Sequence, residues 1–374
     1  IAKFPSDQLC TPYPRLSCTP DPHSPRIAFS SNRSCSHWLG LLSPSIPIPL
    51  SSYSVYVMNT DGTCATQLTS ISYDAVRPRW SPNGTRILFQ GRQSNTLYIM
   101  NADGSNVRRL AEGGKCEPSA LWSPSGDLIA FLSGSDNSKC TLYIIGADGE
   151  RRQALTGPYL DDVLSGLGWS PDEKQVAFSA YAPNTEQREV YRVSIDGSGL
   201  TNLTKHPADD DFAAWTLDGR RMLFTSDREV VNQHPWAEQT VLYIMDADGT
   251  NVQRLIGGVD GATYRLSRGV WVPSSDSQTI VELKNGWHVL DIECVLAHST
   301  QAGDLPQECD IGLPKPRGVM VYSNWPPGGK QFSYSVVTTP DTGTYDIYVV
   351  NFDGTGLRNL TNCPADDIDP DWSP

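Results

Sequence analysis

The chain has 374 residues, of which 39% are hydrophobic, and a formal net charge of −13. A surface of that sign repels phosphate backbones, so the composition disfavours nucleic-acid binding. No run of about 18 or more apolar residues occurs, so no membrane-spanning helix is predicted. The 31 glycines and 28 prolines indicate many turns around a core of ordinary size.

Residues 1–24 are predicted to form a Pro- and Cys-rich N-terminal arm that precedes a repeat domain over residues 25–374. The arm contains Cys10 and Cys18, which are candidates for one disulfide. Two interpretations remain open for the arm, because it can pack on its own domain or on a neighbouring molecule.

An insertion over residues 34–52 follows the first predicted strand, and its segment 38–50 carries no charge. An exposed apolar segment usually marks a contact surface, and the alternative is that it folds back over a groove. The candidate partner-binding side chains in this segment are Trp38, Leu41, Leu42, Ile46, Ile48 and Leu50.

One sequence block recurs through the rest of the chain: W-S-P-x-G, then an I-x-F strand, an apolar strand ending in N-x-D-G, and a strand ending in L-T. Pro and Gly favour a tight turn after the first strand, and N-x-D-G is a hairpin signal. The blocks lie roughly 40 to 55 residues apart, a period typical of propeller blades. They open at Trp80, Trp122, Trp169, Trp215, Trp271, Trp325 and Trp372.

The block that opens at Trp372 ends almost at once, and its missing strands occur at the other end of the chain, around residues 25–29 and 55–62. The sequence therefore predicts an all-β fold, a single β-propeller of seven four-stranded blades closed by exchange of N- and C-terminal strands. Six blades are the alternative, because the Trp271 block is the least regular. Insertions are predicted at 34–52, 227–240 and 293–318.

The repeated W-S-P-x-G, N-x-D-G and L-T elements resemble the TolB-type (WD-like) β-propeller repeat family, over about residues 25–374. That family includes periplasmic scaffolds, peptidase-associated propellers and relatives of polysaccharide lyases. The resemblance therefore implies a fold and leaves the activity open.

The nine cysteines include no C-x-x-C pair and no spacing typical of zinc sites, which favours disulfides in an oxidising compartment. The predicted location is therefore extracellular or periplasmic. Positions in the repeat pair Cys116 with Cys140 and Cys35 with Cys363, and proximity pairs Cys294 with Cys309. This assignment leaves Cys64 as the unpaired thiol.

Aspartates gather before several opening tryptophans and are predicted to line one mouth of the central channel. Asp209, Asp210 and Asp211 are candidate contacts for a partner protein. The acids can hold calcium or attract a basic partner, or they can accept hydrogen bonds from turn amides. The run Asp246 to Gly249 resembles the start of a calcium loop but lacks its final Glu, so no cofactor or metal site is predicted.

The sequence contains no nucleophile elbow, no H-E-x-x-H and no phosphate-binding loop, and its histidines are scattered, so an enzyme is not predicted. The preferred hypothesis is an extracellular propeller that binds protein, including copies of itself as a structural or filament subunit. A periplasmic TolB-like platform for a partner protein or peptide is the alternative. The second alternative is an enzyme, a relative of the propeller-fold carbohydrate lyases or peptidases. Four N-x-S/T sequons, at Asn32, Asn83, Asn202 and Asn359, do not by themselves imply glycosylation.

Overall fold

The structure is a computed structural model. It describes residues 20–21, 24–33, 52–112, 116, 120–134, 140–157, 163–183, 185, 187–228, 241–256, 278–283, 286–291, 294, 310–312, 320–324, 331–337, 344–351, 353–362 and 365–374. These residues form β-strands, one short 3₁₀ turn at Ile71–Tyr73 and connecting loops, and Cys294 has a helical conformation.

The described strands pair into seven antiparallel sheets, here called blades 1 to 7. The first three blades follow, with strands in chain order. Blade 1 contains β1 (Arg26–Ser31), β2 (Ser54–Asn59), β3 (Thr66–Gln67) and β27 (Asp367–Trp372). Blade 2 contains β4 (Ala75–Trp80), β5 (Arg86–Gly91), β6 (Leu97–Asn101) and β7 (Arg108–Ala111). Blade 3 contains β8 (Ala120–Trp122), β9 (Leu128–Ser133), β10 (Thr141–Gly146) and β11 (Gln153–Ala154).

The remaining four blades use consecutive strands in the same way. Blade 4 contains β12 (Val163–Trp169), β13 (Gln175–Tyr181), β14 (Arg188–Ser194) and β15 (Thr201–Asn202). Blade 5 contains β16 (Asp210–Trp215), β17 (Arg221–Ser226), β18 (Val241–Asp246) and β19 (Gln253–Ile256). Blade 6 has three described strands, β20 (Gln278–Leu283), β21 (Gly286–Asp291) and β22 (Asp310–Gly312). Blade 7 contains β23 (Met320–Asn324), β24 (Gln331–Val337), β25 (Tyr345–Asn351) and β26 (Arg358–Asn359).

Blade 1 is built from both ends of the chain, as the sequence predicts. Its strand order is β27-β1-β2-β3, so the last strand of the chain stands where β4 stands in blade 2. The register pairs Ile27 with Trp372 and Ser31 with Asp367. Reciprocal hydrogen bonds extend this pairing, because Ser373 N donates to Arg26 O and Arg26 N donates to Ser373 Oγ, both at 2.8 Å. The predicted strand exchange is confirmed.

The hydrophobic core lies between neighbouring blades. In the part of the chain that the structure describes, five buried clusters join blades 7 and 1, 1 and 2, 2 and 3, 3 and 4, and 4 and 5. Each cluster contains the opening tryptophan of the later blade, which removes a large apolar surface from water. These tryptophans are Trp372, Trp80, Trp122, Trp169 and Trp215.

Most of these tryptophans also make a repeated hydrogen bond to the preceding blade. The Nε1 atoms of Trp122, Trp169 and Trp215 donate at 3.2 Å to the carbonyl that precedes the earlier blade's tryptophan. Trp372 donates to Ser333 Oγ at 2.9 Å. Trp80 Nε1 is buried without a partner, so the boundary between blades 1 and 2 lacks this bond.

The cysteines divide into one confirmed pair, one wrong prediction and several untested ones. The predicted Cys116–Cys140 disulfide is present. The prediction that Cys64 is unpaired is wrong, because Cys64 is disulfide-bonded. Cys294 is also disulfide-bonded, but its predicted partner Cys309 lies outside the described residues. Cys10, Cys18, Cys35, Cys363 and the uncharged segment 38–50 also lie outside the described residues, so their predicted roles stay predictions.

Candidate functional site

The end of the propeller where the innermost strands begin carries the predicted aspartates, and it is here called the acidic face. Asp74, Asp209 and Asp366 occupy equivalent positions before Trp80, Trp215 and Trp372, and they define this face. The insertions 34–52 and 227–240 leave and rejoin the fold at this same end, since β1 and β17 end there and β2 and β18 begin there. The opposite end, formed by turns such as 81–84 and 216–219, is called the turn face.

The three equivalent aspartates have the same structural task. Asp74 accepts the N–H of Tyr53 at 2.9 Å, and Asp209 accepts that of Arg188 at 2.9 Å. Asp366 accepts that of Tyr345 at 3.3 Å. In each case the carboxylate ties the start of one blade to an amide of the preceding blade. The interpretation that these acids accept backbone hydrogen bonds therefore holds for all three, although the amides belong to neighbouring blades and not to local turns.

Two buried ion pairs lie one residue further along the chain. Both carboxylate oxygens of Asp210 accept from Arg228 Nη2 at 2.9 Å, and the Asp210 side chain is 0% exposed. In blade 1, Asp367 accepts from Arg33 at 2.6 Å and is equally buried. A carboxylate with no exposed surface cannot touch a partner, so the prediction that Asp210 is a contact residue is wrong.

Each arginine of these pairs also lies over two stacked aromatic rings. The Arg228 guanidinium is 5.1 Å from the Phe224 ring and 4.8 Å from the Tyr243 ring. Arg33 stands in the same relation to Phe29 and Tyr56, at 5.2 and 5.3 Å. These cation–π contacts hold each guanidinium in the position from which it donates hydrogen bonds to its buried aspartate.

Arg33 and Arg228 were missed by the sequence analysis, although the chain carries a signal for them. Both follow a serine by two positions at the end of the second strand of a block, as Ser31-Asn32-Arg33 and Ser226-Asp227-Arg228. The buried aspartate that each arginine meets lies far away in sequence or in another part of the block. The repeated S-x-R pattern therefore indicates that the two arginines are structurally equivalent, but it does not predict which aspartate each arginine contacts.

Among the described residues, blade 5 carries further charge on the acidic face. Asp209 and Asp211 both accept from the Arg188 guanidinium, at 3.1 and 2.5 Å. Asp227 accepts the N–H of Asp209 at 2.9 Å and is exposed. Its pKa is raised, first by partial burial and then by the charges of Asp209 and Asp210. The charge of this cluster itself, three carboxylates at Asp209, Asp211 and Asp227 against one guanidinium at Arg188, suits a basic partner group.

Glu189 is a second missed acid beside this cluster. It is 4% exposed, accepts hydrogen bonds from Thr204 Oγ1 and, at 3.0 Å, from the N–H of His206, and burial raises its pKa. His206 in turn accepts the Ala208 N–H through Nδ1 at 3.1 Å. These contacts hold the loop that leads to Asp209. Among the described residues, no group of three or more His, Cys, Asp or Glu side chains is arranged to bind a metal ion.

The innermost strands share a bulge near the channel. Arg77, Gly166 and Asp369 precede their blade's tryptophan by the same number of residues and have φ values of 54°, 69° and 57°. The bulge turns Arg77 N toward Asp369, whose carboxylate accepts it at 3.1 Å. Asp371 accepts the Trp80 N–H at 2.6 Å and lies 3.7 Å from Arg79. Carboxylates of β27 thus replace the missing tryptophan bond between blades 1 and 2.

On the turn face, the aspartates of the D-G hairpins hold the turns closed. Asp248 Oδ1, for example, accepts the N–H of Thr250 at 2.9 Å and its hydroxyl at 2.6 Å. This is the run that resembles the start of a calcium loop, and in the structure it forms an ordinary hairpin turn. Such hydrogen bonds stabilise the ionised carboxylate and lower its pKa. The five equivalent residues with a lowered pKa are Asp61, Asp103, Asp196, Asp248 and Asp353.

These turns predict a loss of stability in acid. A carboxyl whose pKa is lowered by folding contributes stability above its ordinary pKa, near 4, and loses it as the pH falls through the lowered value. Burial raises the pKa of Asp367 and Asp369, so these two act in the opposite direction. As the pH is lowered below about 4, we expect the urea concentration at the unfolding midpoint to decrease. The decrease should be smaller in a variant with all five turn aspartates changed to asparagine. An unchanged acid slope in that variant would contradict the assignment.

Seven antiparallel sheets in chain order, with the last strand completing the first sheet, define a β-propeller. The model of the TolB beta propeller domain family matches residues 51–166. The predicted resemblance to this family is confirmed over those residues, and the fold of the chain is that of a β-propeller. Within the described residues, no helix has the length and apolar character of a membrane span.

Similar proteins include an uncharacterized protein, a TolB protein and an enzyme. An uncharacterized protein of Agrobacterium fabrum is 29% identical over 111 residues, which are 30% of this chain and 37% of that protein, so little more than a third of the relative is matched. TolB from Acinetobacter baumannii has a TM-score of 0.52 at 13% identity, over 95% of this chain and 68% of that one. An oligogalacturonate lyase from Vibrio parahaemolyticus has a TM-score of 0.59 at 12% identity, over 83% and 81%. At these identities the likeness concerns the fold alone.

Proposed function

We propose that this chain is a non-enzymatic propeller outside the cytoplasm and that it binds a partner protein through its acidic face. The observation that carries the proposal is the arrangement of that face. The strands that flank the 34–52 and 227–240 insertions end and begin at that face, and the excess carboxylate charge of Asp209, Asp211 and Asp227 lies at the end of β17 and the start of β16. The carboxylates with described partners are fixed by the fold, so the face is preorganised for contact.

The location outside the cytoplasm is supported by cysteine chemistry. Cys116 and Cys140 are bonded and almost fully buried, and Cys64 and Cys294 are also in disulfides. Disulfides of this number persist in oxidising compartments and are rare in the cytosol. The proposal therefore places the chain in the periplasm or beyond the cell.

Site-specific photo-crosslinking tests the binding face. A benzophenone side chain is placed at position 42, in the uncharged segment, and the matched control carries it at position 217. Leu217 is 45% exposed on the turn face. We expect a covalent protein adduct from position 42 and none from position 217. The mass of the adduct shows whether the crosslinked protein is a second copy of this chain or a different protein. The self-assembly hypothesis predicts a second copy.

The charge contribution is tested by changing Asp227→Asn and Asp211→Asn together. Both amide oxygens can still accept the hydrogen bonds of the carboxylates that they replace, so the fold is retained. For a basic partner we expect a lower adduct yield at position 42, and a smaller salt dependence of that yield. Equal adducts from both faces, or turnover of oligogalacturonate or a peptide by the purified chain, would contradict the proposal.

A further inference from the structure

The four N-x-S/T sequons differ sharply in what the fold does with their asparagine side chains. N-linked glycosylation joins a sugar to the Nδ2 atom, so that atom must be free and exposed in a folded glycoprotein. The sequons begin at Asn32, Asn83, Asn202 and Asn359. Their hydrogen bonds therefore show which of them the fold can accommodate as an acceptor.

Three of the four amide nitrogens are used by the fold. Asn359 Nδ2 donates to Asp346 at 2.9 Å and to the Tyr348 hydroxyl at 3.2 Å. Asn32 Nδ2 donates to Asp366 Oδ2 at 3.0 Å. Asn202 Nδ2 lies 3.5 Å from the Tyr191 hydroxyl. All three side chains are partly buried, so a glycan on any of them would displace a contact within the propeller.

Asn83 is different, because only its oxygen is needed. Asn83 Oδ1 accepts from Ser81 Oγ at 2.8 Å, Thr85 N at 3.1 Å and Thr85 Oγ1 at 2.7 Å. Its Nδ2 makes no hydrogen bond to the described residues, and the residue is exposed in the turn between β4 and β5.

The equivalent turns of blades 4 and 5 show that this turn does not require an amide nitrogen. They carry Asp172 and Asp218, which accept the same hydroxyl and backbone hydrogen bonds through a carboxylate oxygen. The turn therefore selects an acceptor oxygen at this position. In blade 2 the chain supplies that oxygen from an asparagine and completes a sequon with Thr85.

We infer that Asn83 is the N-glycan acceptor of this chain. The inference rests on the proposed location outside the cytoplasm, where glycan transfer takes place. The donor class is a polyprenyl-pyrophosphate-linked oligosaccharide. Asn83 Nδ2 forms a bond to the anomeric carbon, the bond from that carbon to the pyrophosphate oxygen breaks, Nδ2 loses one proton, and the polyprenyl pyrophosphate leaves.

The position of Asn83 separates the glycan from the proposed binding surface. Its turn belongs to the turn face, whereas the carboxylates and the strand ends that flank the insertions lie on the acidic face. A bulky, hydrated glycan there covers the end of the propeller that the proposed partner does not use. Glycosylation and partner binding are therefore compatible on one molecule.

Mass spectrometry of the secreted full chain tests the assignment. The chain is exported with a signal sequence from a eukaryotic host, and the folded fraction is analysed intact and as peptides. We expect one glycan, on the peptide that contains Asn83, removable by peptide N-glycosidase. A folded chain with Cys116–Cys140 formed and residue 83 unmodified would overturn the inference and leave the proposed location standing. A glycan on Asn32, Asn202 or Asn359 in the folded fraction would also overturn it.

Matched variants separate the sequon from the turn. Asn83→Asp keeps the acceptor oxygen, as in blades 4 and 5, and should lose the glycan completely while the thermal midpoint of the deglycosylated chain stays unchanged. Thr85→Ser preserves the sequon and should keep the glycan, whereas Thr85→Val should lose it. Retention of the glycan in Asn83→Asp would place it elsewhere and refute the assignment. The crosslinking yield at position 42 should not differ between glycosylated and unglycosylated chains.

Discussion

Replacing Arg228 with methionine is expected to lower the free energy of unfolding by about 3–5 kcal/mol. Asp210 is 0% exposed and takes both of its strong hydrogen bonds from this guanidinium. Without the arginine, the carboxylate remains buried beside no cation, or must take up a proton. The loss is measured as a shift in the denaturant midpoint and in the thermal midpoint.

Two further variants make this prediction decisive. Arg220→Met removes an arginine whose contact with Asp218 is exposed, with side-chain exposures of 85% and 51%, and should change stability by no more than about 0.5 kcal/mol. The double variant Asp210→Leu with Arg228→Met removes both charges and should recover most of the loss. Equal effects of Arg228→Met and Arg220→Met would show that burial of the pair is energetically unimportant.

A chain that ends at residue 364 is expected to lose its cooperative unfolding transition. It lacks β27, and with it Trp372, which lies in the buried cluster between blades 7 and 1. Losing one buried tryptophan side chain costs about 3–5 kcal/mol, and whole domains have only about 5–15 kcal/mol. The truncated chain should bind a hydrophobic dye and show a broad thermal transition by circular dichroism.

Adding the missing strand as a separate peptide should reverse this effect. A peptide of residues 365–374 should bind the truncated chain and restore the sharp transition, because it supplies the β1 pairing and the carboxylates that bind blade 2. The same peptide with Trp372→Ala and Asp367→Ala should not. The control is a chain that lacks only Pro374, which should unfold as the intact chain does. A sharp transition in the truncated chain alone would contradict the role of β27.

The sequence predicted the repeat, the shared blade and the inter-blade tryptophans, because each leaves a local pattern that recurs. The Cys116–Cys140 disulfide could also be predicted from the sequence, since both residues flank strands of one blade. The structural role of Asp210 could not be predicted from the sequence, because its burial depends on Arg228 and on the aromatic rings beneath that arginine. Cys64 was assigned by elimination, and spacing along a chain carries no information on distance in space.

Closure of blade 1 by the last strand also sets the timing of folding. Arg26 and Ser373 are joined by a hydrogen bond across 347 positions, so β1 has no inner neighbour until the residues of β27 have been synthesised. At about 5–20 residues per second, that wait is roughly 20 to 70 s. During this time the apolar flank of β1 that later meets Trp372 is exposed to other chains. Folding of this chain therefore depends on keeping the early strands apart from other chains until β27 arrives.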